Sequence, residues 1–237
     1  MYLQEWLFRE ALAEAKIEHQ KLLVKADHLN GRNLVGGLIF SLKYPTYFLR
    51  EIEKLNSQKK HKYVFRGFVS PSGGRKEMLM PFVGPGSIIQ HSVDGRNPRT
   101  KFRFQRNYFE LMKSGHFSLC PNQKDWPGNP KNAWTYRFVE ACFSKTLPIC
   151  FRESPLGENF VNDFEFFWDD ADHNLEHYDD KIHKNFNLVK KQFCLTQEEI
   201  ESIKSLPWWG KQLNREQTGD MVADFGGDVP VDVEKLR

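Results

Sequence analysis

Arg137 and Glu140 are the two residues whose types and spacing best fit a chemical role. They lie three positions apart, and side chains with that spacing share one face of a helix. A guanidinium one turn into a helix is suited to bidentate contacts with a phosphate, to which the helix terminus adds backbone N–H groups and its dipole. A carboxylate is suited to accept hydrogen bonds from ribose hydroxyls. The pair predicts a nucleotide site, and an ordinary surface ion pair is the alternative.

The elements that would position this pair are a strand, a loop, a helix and a second strand. HFSLC (116–120) is a short apolar run that Pro121 ends, and LPICF (147–151) is another. Between them, a loop rich in Pro, Gly and Asn leads to a helix from Asn132, its predicted N-cap, to about Ser144. Such units build parallel sheets, which bind ligands at the carboxyl ends of their strands. We therefore expect the start of the helix at a ligand-binding edge.

A second phosphate cradle is predicted upstream. KYVFRGFV (62–69) alternates like a strand, and a helix is predicted over 76–82. The turn between them, SPSGGR, places Gly73, Gly74 and Arg75 after the carboxyl end of the strand, where backbone N–H groups can surround an anion. The GxxxxGK[ST] pattern of a P-loop is absent. A plain glycine-rich turn is the alternative.

Two other chemistries have weaker signals. His173 and His177 have the HxxxH spacing of two metal ligands on one helix face, but the spacing fixes no third ligand and the HExxH pattern is absent. A basic run over 96–106, interleaved with Phe102 and Phe104, fits contacts with phosphates and bases. The formal net charge of +3 is nevertheless small for a nucleic-acid-binding protein. We expect neither a metal site nor a nucleic-acid partner.

The same segments resemble the signature of the exostosin-like glycosyltransferases, the family of heparan and plant cell-wall glycosyltransferases. That signature has a lead helix, an F-x-L-x-P strand, a loop, the helix motif S/T-x-R-F/L-x-E-A and a strand that begins P-V/I. The matching residues are Phe117, Leu119, Pro121, Thr135, Arg137, Phe138, Glu140, Ala141, Pro148 and Ile149. Residues 108–112 resemble the lead helix, and 63–67 followed by Arg75 resemble the opening of the family's donor domain. The resemblance covers roughly residues 60 to 200.

The resemblance implies an α/β fold: a Rossmann-like parallel sheet flanked by helices, similar to the donor-binding half of a GT-B glycosyltransferase, over 61–206. A short helix-rich lobe over 1–60 would be a reduced acceptor side, and residues 207–237 a C-terminal tail. Full-length family members carry an acceptor half of comparable size before the donor half. A protein partner that completes the acceptor side, or a chain that is a fragment, are the alternatives to a reduced lobe.

The implied activity is transfer of a sugar from a nucleotide diphosphate sugar, with a UDP-sugar favoured, to a glycan acceptor. Arg75 and Arg137 would neutralise the diphosphate as charge develops on it. Thr135 would assist in binding the phosphates, Glu140 would hold the ribose, and Gly67 would be a further donor-binding residue. GT-B enzymes generally work without a bound metal, so we expect no tightly bound cofactor.

An inverting transfer also needs a general base, which the motif does not identify. His91 and Asp94 are the candidates, and both fall in the segment 83–104, which is predicted to be irregular because it is rich in Pro and Gly. A non-catalytic nucleotide- or glycan-binding module that keeps the donor-domain fold is the alternative function. Detectable hydrolysis or transfer of the donor sugar separates the two.

Composition favours a soluble globular protein, since hydrophobic residues make up 40% of the chain and charged residues 27%. The four cysteines form no CxxC pair, and three of them fall on predicted buried segments, as reduced core thiols would. The amino-terminal segment is studded with charges and lacks the apolar run of a signal peptide, and no stretch is long enough to span a membrane. These features predict a cytoplasmic protein.

Periodicity and capping signals predict the remaining elements. They are an amphipathic helix over 2–27, a strand over 38–42, a helix that opens at Pro45, a strand over 166–169, a helix over 186–193, and a helix over 196–206 capped by Thr196 and Glu199.

Overall fold

The computed structural model describes residues 3–18, 22–69, 74–91, 103–124 and 129–206, and its strands form two sheets. The smaller sheet is antiparallel, in the order β1-β2-β3, with β1 at Val24–Asp27, β2 at Arg32–Val35 and β3 at Leu38–Ser41. The larger sheet is parallel throughout and has five strands. These are β4 His61–Gly67, β5 Ser87–His91, β6 Gly115–Leu119, β7 Leu147–Cys150 and β8 Phe167–Trp168.

Helices precede, connect and follow these strands. They are α1 Leu3–Glu14, α2 Thr46–Lys54, α3 Arg75–Leu79, α4 Arg106–Lys113, α5 Tyr136–Phe143, α6 Glu158–Val161, α7 Tyr178–Phe193 and α8 Gln197–Lys204. Short 3-10 turns occupy Met80–Phe82 and Pro130–Asn132. Among the described residues, no helix combines the length and apolar character that crossing a membrane requires.

The parallel sheet has the strand order β5-β4-β6-β7-β8. Strand β5 pairs with one side of β4 and β6 with the other, so the direction in which the chain crosses the sheet reverses at β4. The crevice between the carboxyl ends of β4 and β6 is therefore a topological switch point, the usual ligand position in open α/β sheets. The predicted α/β class with a Rossmann-like parallel sheet flanked by helices is confirmed, and so are the strands predicted as β4, β6 and β7.

Alternation along the strands places two hydrophobic clusters on opposite faces of the sheet. Phe117, Leu119 and Ile149 pack with Met78 of α3 in one cluster. The other cluster lies on the opposite face. It packs residues of α2, α4, α5 and the carboxyl half of α7 against the strand side chains that point to that face. The sheet is thus buried on both faces, as continuous apolar strands such as LPICF predict.

The predicted helix over 2–27 is wrong in its second half, because α1 ends at Glu14. Lys16 takes a positive φ of 57° that turns the chain, and Val24 begins a strand. The missed sheet closes through Gly36 and Gly37, whose φ values of 57° and 82° fit the two-residue type I′ hairpin turn. That glycine pair between apolar residues was the signal for a hairpin, and the amino-terminal lobe is therefore not purely helical.

Two predicted boundaries also need correction. The segment 83–104, predicted to be irregular, contains β5, because Ser87–His91 adds a parallel strand to the exposed side of β4. Asn132 does not cap the helix: it ends a 3-10 turn, and the helix begins after Thr135. The strand over 38–42, the helix after Pro45, the strand near 166–169 and the helix capped by Thr196 are confirmed. The predicted tail, 207–237, lies outside the described residues.

The amino-terminal residues share one core with the parallel-sheet region. Leu7, Tyr44 and Phe48 belong to the same buried cluster as Phe138 and Phe143 of α5. The ring of Tyr44 meets that of Phe143 edge-on, with centroids 5.1 Å apart. Residue 60 therefore marks a position along the chain rather than a break in the core, since side chains of α1, α2 and the segment before α2 share a cluster with the helix that carries Arg137.

The four cysteines, Cys120, Cys142, Cys150 and Cys194, are all free and buried, as predicted. Burial raises the pKa of Cys120 to about 12. Thiols in such surroundings stay protonated at neutral pH, and only the thiolate is a strong nucleophile. These side chains therefore serve as packing groups.

Gly115→Ala should destabilise the protein, because a Cβ at this first residue of β6 would lie 2.5 Å from Cγ2 of Val64 on the neighbouring strand. Overpacking of this kind costs about 1–3 kcal/mol, which urea unfolding measures. Gly84→Ala is the matched control, since a Cβ there meets nothing within 4 Å. Equal unfolding free energies for the two variants would contradict the packing described for β4 and β6.

Candidate functional site

Arg137 joins the first turn of α5 to the end of β4. The Thr135 hydroxyl accepts a hydrogen bond from the Arg137 backbone N–H at 3.4 Å and so caps the helix. The guanidinium donates through Nη2 to the carbonyl of Arg66 at 2.8 Å and lies over the ring of Phe65, 4.2 Å from its centroid. These contacts hold the arginine at the carboxyl edge of the sheet, beside the switch point.

Gly67, the last residue of β4, provides the space that this arrangement needs. A Cβ built on Gly67 would overlap Nη2 of Arg137. No side chain larger than hydrogen fits there unless the guanidinium moves. The close approach of Arg137 to the strand is the structural reason for a glycine at this position, and the donor-binding role of Gly67 stays a prediction.

Arg75 reaches the same place from the other side of β4. It is the first residue of α3 and follows Gly74, which has a φ of 64°. Its Nη1 donates to the carbonyl of Phe68 at 3.2 Å, two residues beyond the carbonyl that Arg137 contacts. Burial, together with the positive charge of Arg137, lowers the pKa of Arg75 to about 10. The two arginines are therefore close enough to repel each other.

Neither guanidinium has a counter-charge among the described residues. The Nε atoms of Arg75 and Arg137 are buried and have no hydrogen-bond partner, and no described carboxylate forms an ion pair with either side chain. Buried donors are nearly always satisfied in folded proteins, and like charges in a poorly solvated place are unfavourable. A bound oxyanion would supply the missing negative charge.

Glu140 does not lie beside Arg137 at the edge of the sheet. This corrects both the predicted contact of Glu140 with a ribose and the alternative of a surface ion pair with Arg137. Its side chain is 0% exposed. One carboxylate oxygen accepts from the hydroxyl of Tyr44 at 3.0 Å and the other from the hydroxyl of Tyr108 at 2.8 Å. It is neither a surface ion-pair partner nor a group at the carboxyl edge, so the predicted ribose contact has no support in this arrangement. Glu140 instead anchors α5 to α4 and to the segment before α2.

The remaining predicted site residues lie at different distances from the arginines. Thr135 uses its hydroxyl to cap α5, so its contact with phosphate stays a prediction. His91 ends β5 at the same edge of the sheet, is exposed, and has its ring centroid 6.2 Å from that of Phe68. Asp94, the other candidate base, lies outside the described residues. The structure thus brings Gly67, Arg75 and Arg137 together and places His91 on the neighbouring strand.

Residues from the amino-terminal hairpin help to fix the start of α5. The indole Nε1 of Trp134 donates to the carbonyl of His28 at 3.0 Å. Gly31 packs so closely on that indole that a Cβ would lie 2.9 Å from Cδ2 of Trp134. The turn signal Asn30-Gly31 was present in the sequence, but nothing in the sequence tied it to Trp134.

The two histidines of the HxxxH spacing do not converge. His173 is buried, with Nδ1 2.9 Å from the hydroxyl of Tyr63 and Nε2 2.8 Å from the carbonyl of Trp168. His177 is exposed and precedes α7 with a φ of 51°, so the two do not share a helix face. Within the described ranges, no three His, Cys, Asp or Glu side chains group in a way that could hold a metal ion.

No protein-family model matches the chain, and no curated protein sequence matches it. The chemistry of the site therefore rests on its geometry. Two guanidinium groups converge on the backbone of residues 66–68, at the carboxyl edge and next to a switch point. Guanidinium donors of this kind match the oxygens of a phosphate, and two of them match a ligand with more than one phosphoryl group.

Tyr108→Phe should lower the free energy of unfolding by about 1.5–3 kcal/mol, because it removes a buried hydrogen bond to a carboxylate. Chemical denaturation measures the change. Glu110→Ala, on the same helix, is the matched control: Glu110 forms an exposed ion pair with Arg106, and such pairs contribute less than about 1 kcal/mol. An unchanged free energy of unfolding in Tyr108→Phe would contradict the structural role assigned to Glu140.

Proposed function

We propose that this protein is a glycosyltransferase that takes its sugar from a nucleotide diphosphate sugar, with a UDP-sugar as the favoured donor and a glycan as the acceptor. The parallel sheet would be the donor-binding domain of a GT-B-like enzyme. The observation that carries the proposal is the pair of partly buried guanidinium groups, Arg75 and Arg137, that lie at the switch point and have no counter-charge among the described residues. The resemblance of the strand–helix–strand segment to exostosin-like glycosyltransferases supports the same conclusion.

In this proposal the two arginines act on the leaving group. When the bond between the sugar and the diphosphate breaks, negative charge develops on the phosphate oxygens, and donors already held in place stabilise it. Arg137 is held by the carbonyl of Arg66 and the ring of Phe65, so little reorganisation is needed. His91, exposed at the end of β5, remains the candidate base for the acceptor hydroxyl.

A nucleoside diphosphate should stabilise the protein, and the effect should depend on Arg137. At a hundred times its dissociation constant, a ligand adds about 2.7 kcal/mol to the free energy of unfolding. In a chain of this size that raises the thermal midpoint by roughly 5–10 °C. We expect UDP to produce this shift in the wild type and little or none in Arg137→Ala, with GDP, ADP and CDP as the comparison set.

Arg106→Ala is the matched control for this experiment, because Arg106 is an exposed arginine whose partner is Glu110. It should keep the full shift. A folded protein that responds to none of the four nucleotides, or an equal shift in Arg137→Ala and the wild type, would overturn the site assignment. Nucleotide binding without release or transfer of the sugar from the matching donor would identify a non-catalytic binding module instead.

Gly67→Ala tests the geometry of the site without changing its charge. The added methyl group should displace the guanidinium of Arg137 from the end of β4, so nucleotide affinity should fall at least tenfold while both arginines are still present. Calorimetric titration with UDP measures the affinity, and Gly84→Ala provides the same substitution in open space. Unchanged affinity in Gly67→Ala would show that the observed position of Arg137 is not needed for binding.

A further inference from the structure

A cavity of about 500 Å³ opens at the other edge of the parallel sheet, where β4 and β6 begin. It lies at the amino ends of these strands, whereas the arginine site lies at their carboxyl ends. The seven residues of β4 span the difference, so the two places are roughly 20 Å apart at about 3.3 Å per residue. The cavity is therefore separate from the arginine site.

Basic side chains dominate the wall of this cavity, and no described carboxylate lines it. The lining lysines and histidines are Lys59, Lys60, Lys62, His61, His116 and His173. This concentration of cationic and ionisable groups contrasts with the chain as a whole, whose formal net charge is only +3. A cavity with that wall favours a negatively charged occupant.

Lys59 directs its ammonium group into contacts within the protein. Its ammonium donates to the carbonyls of Gly115 at 2.7 Å and Lys145 at 2.8 Å and to the hydroxyl of Thr146 at 3.0 Å. Burial and the positive charge of Lys113 lower the pKa of Lys59 to about 7. No carboxylate accompanies it in these contacts, so its positive charge is solvated only by neutral oxygens.

Three other side chains line the cavity and form no ion pair with a described carboxylate. His116 lines the cavity, and its Nδ1 is buried without a hydrogen-bond partner among the described residues. Lys60 and Lys62 are exposed and form no ion pair with any described carboxylate. His173, by contrast, has both ring nitrogens engaged by Tyr63 and Trp168, so it forms part of the wall rather than a binding group.

We propose that this cavity is a second anion site, which binds the phosphate group of a small phosphate ester through His116, Lys60 and Lys62. Phosphate oxygens are strong acceptors, and they match the ammonium groups of Lys60 and Lys62, which form no ion pair with a described carboxylate. The volume of about 500 Å³ is typical of small-molecule sites and exceeds what a bare phosphate needs. Leu175, 49% exposed at this cavity, and Phe117 offer apolar surface to the organic part of the ligand.

Calorimetric titration at pH 7 with glucose 1-phosphate, inorganic phosphate and pyrophosphate tests this site. We expect glucose 1-phosphate to bind the wild type, and a Lys60→Ala/Lys62→Ala double variant to bind it at least tenfold more weakly. His116→Gln should also weaken binding. Arg137→Ala should bind glucose 1-phosphate as the wild type does, because the guanidinium of Arg137 lies at the opposite edge of the sheet. Equal affinity for inorganic phosphate would support the same anion site with free phosphate as its ligand.

The matched control is a Lys190→Ala/Lys191→Ala double variant, which removes the same charge from exposed positions of α7. It should leave the affinity unchanged, and thermal unfolding of each variant without ligand checks that it folds. Three results would overturn the proposal: no binding of any of the three compounds, an equal loss in both lysine double variants, or a loss in Arg137→Ala with binding retained in Lys60→Ala/Lys62→Ala. The first two results do not depend on whether the arginine site binds a nucleotide, and the third would assign the measured binding to the arginine site instead of the cavity.

Discussion

The placement of the Arg137 guanidinium over Phe65 and against Gly67 is the constraint on which the candidate site depends. An arginine on the first turn of a helix has many accessible rotamers, and ordering one of them costs conformational entropy. Here the strand carbonyl of Arg66, the face of an aromatic ring and the absence of a Cβ select one position. The helix must then be held at a fixed height above the sheet, because a shift of one residue would carry the guanidinium away from the carbonyl.

Contacts with other parts of the fold hold α5 at that height above the sheet. Trp134, just before α5, is held by the carbonyl of His28 in the amino-terminal hairpin, and Glu140, one turn into the helix, is held by Tyr44 and Tyr108. Two of these anchors come from the first sixty residues. The amino-terminal lobe therefore acts on the candidate site through packing, whatever part it has in binding an acceptor.

Sequence patterns predicted the elements whose signals are local. The apolar strands β6 and β7, the capping box at Thr196 and the two arginines all depend on residues close together in the chain. The role of Glu140 could not be predicted in this way, because its partners lie 96 and 32 positions away. Spacing of three residues placed it on the same face as Arg137, but only the fold determines that one side chain reaches the cleft edge and the other the core. Strand β5 was missed for the same reason, since its partner is β4 rather than a neighbouring hairpin.

Lys43 shows how a carboxylate can compensate a buried cation in this protein. Lys43 is 2% exposed, and its ammonium lies 2.6 Å from a carboxylate oxygen of Glu199 and within hydrogen-bonding distance of two carbonyls. That pairing compensates for the loss of hydration. Arg75 and Arg137 have lost part of their hydration as well, yet their neighbour is another positive charge. An anion bound between them would supply the compensation that Glu199 gives to Lys43.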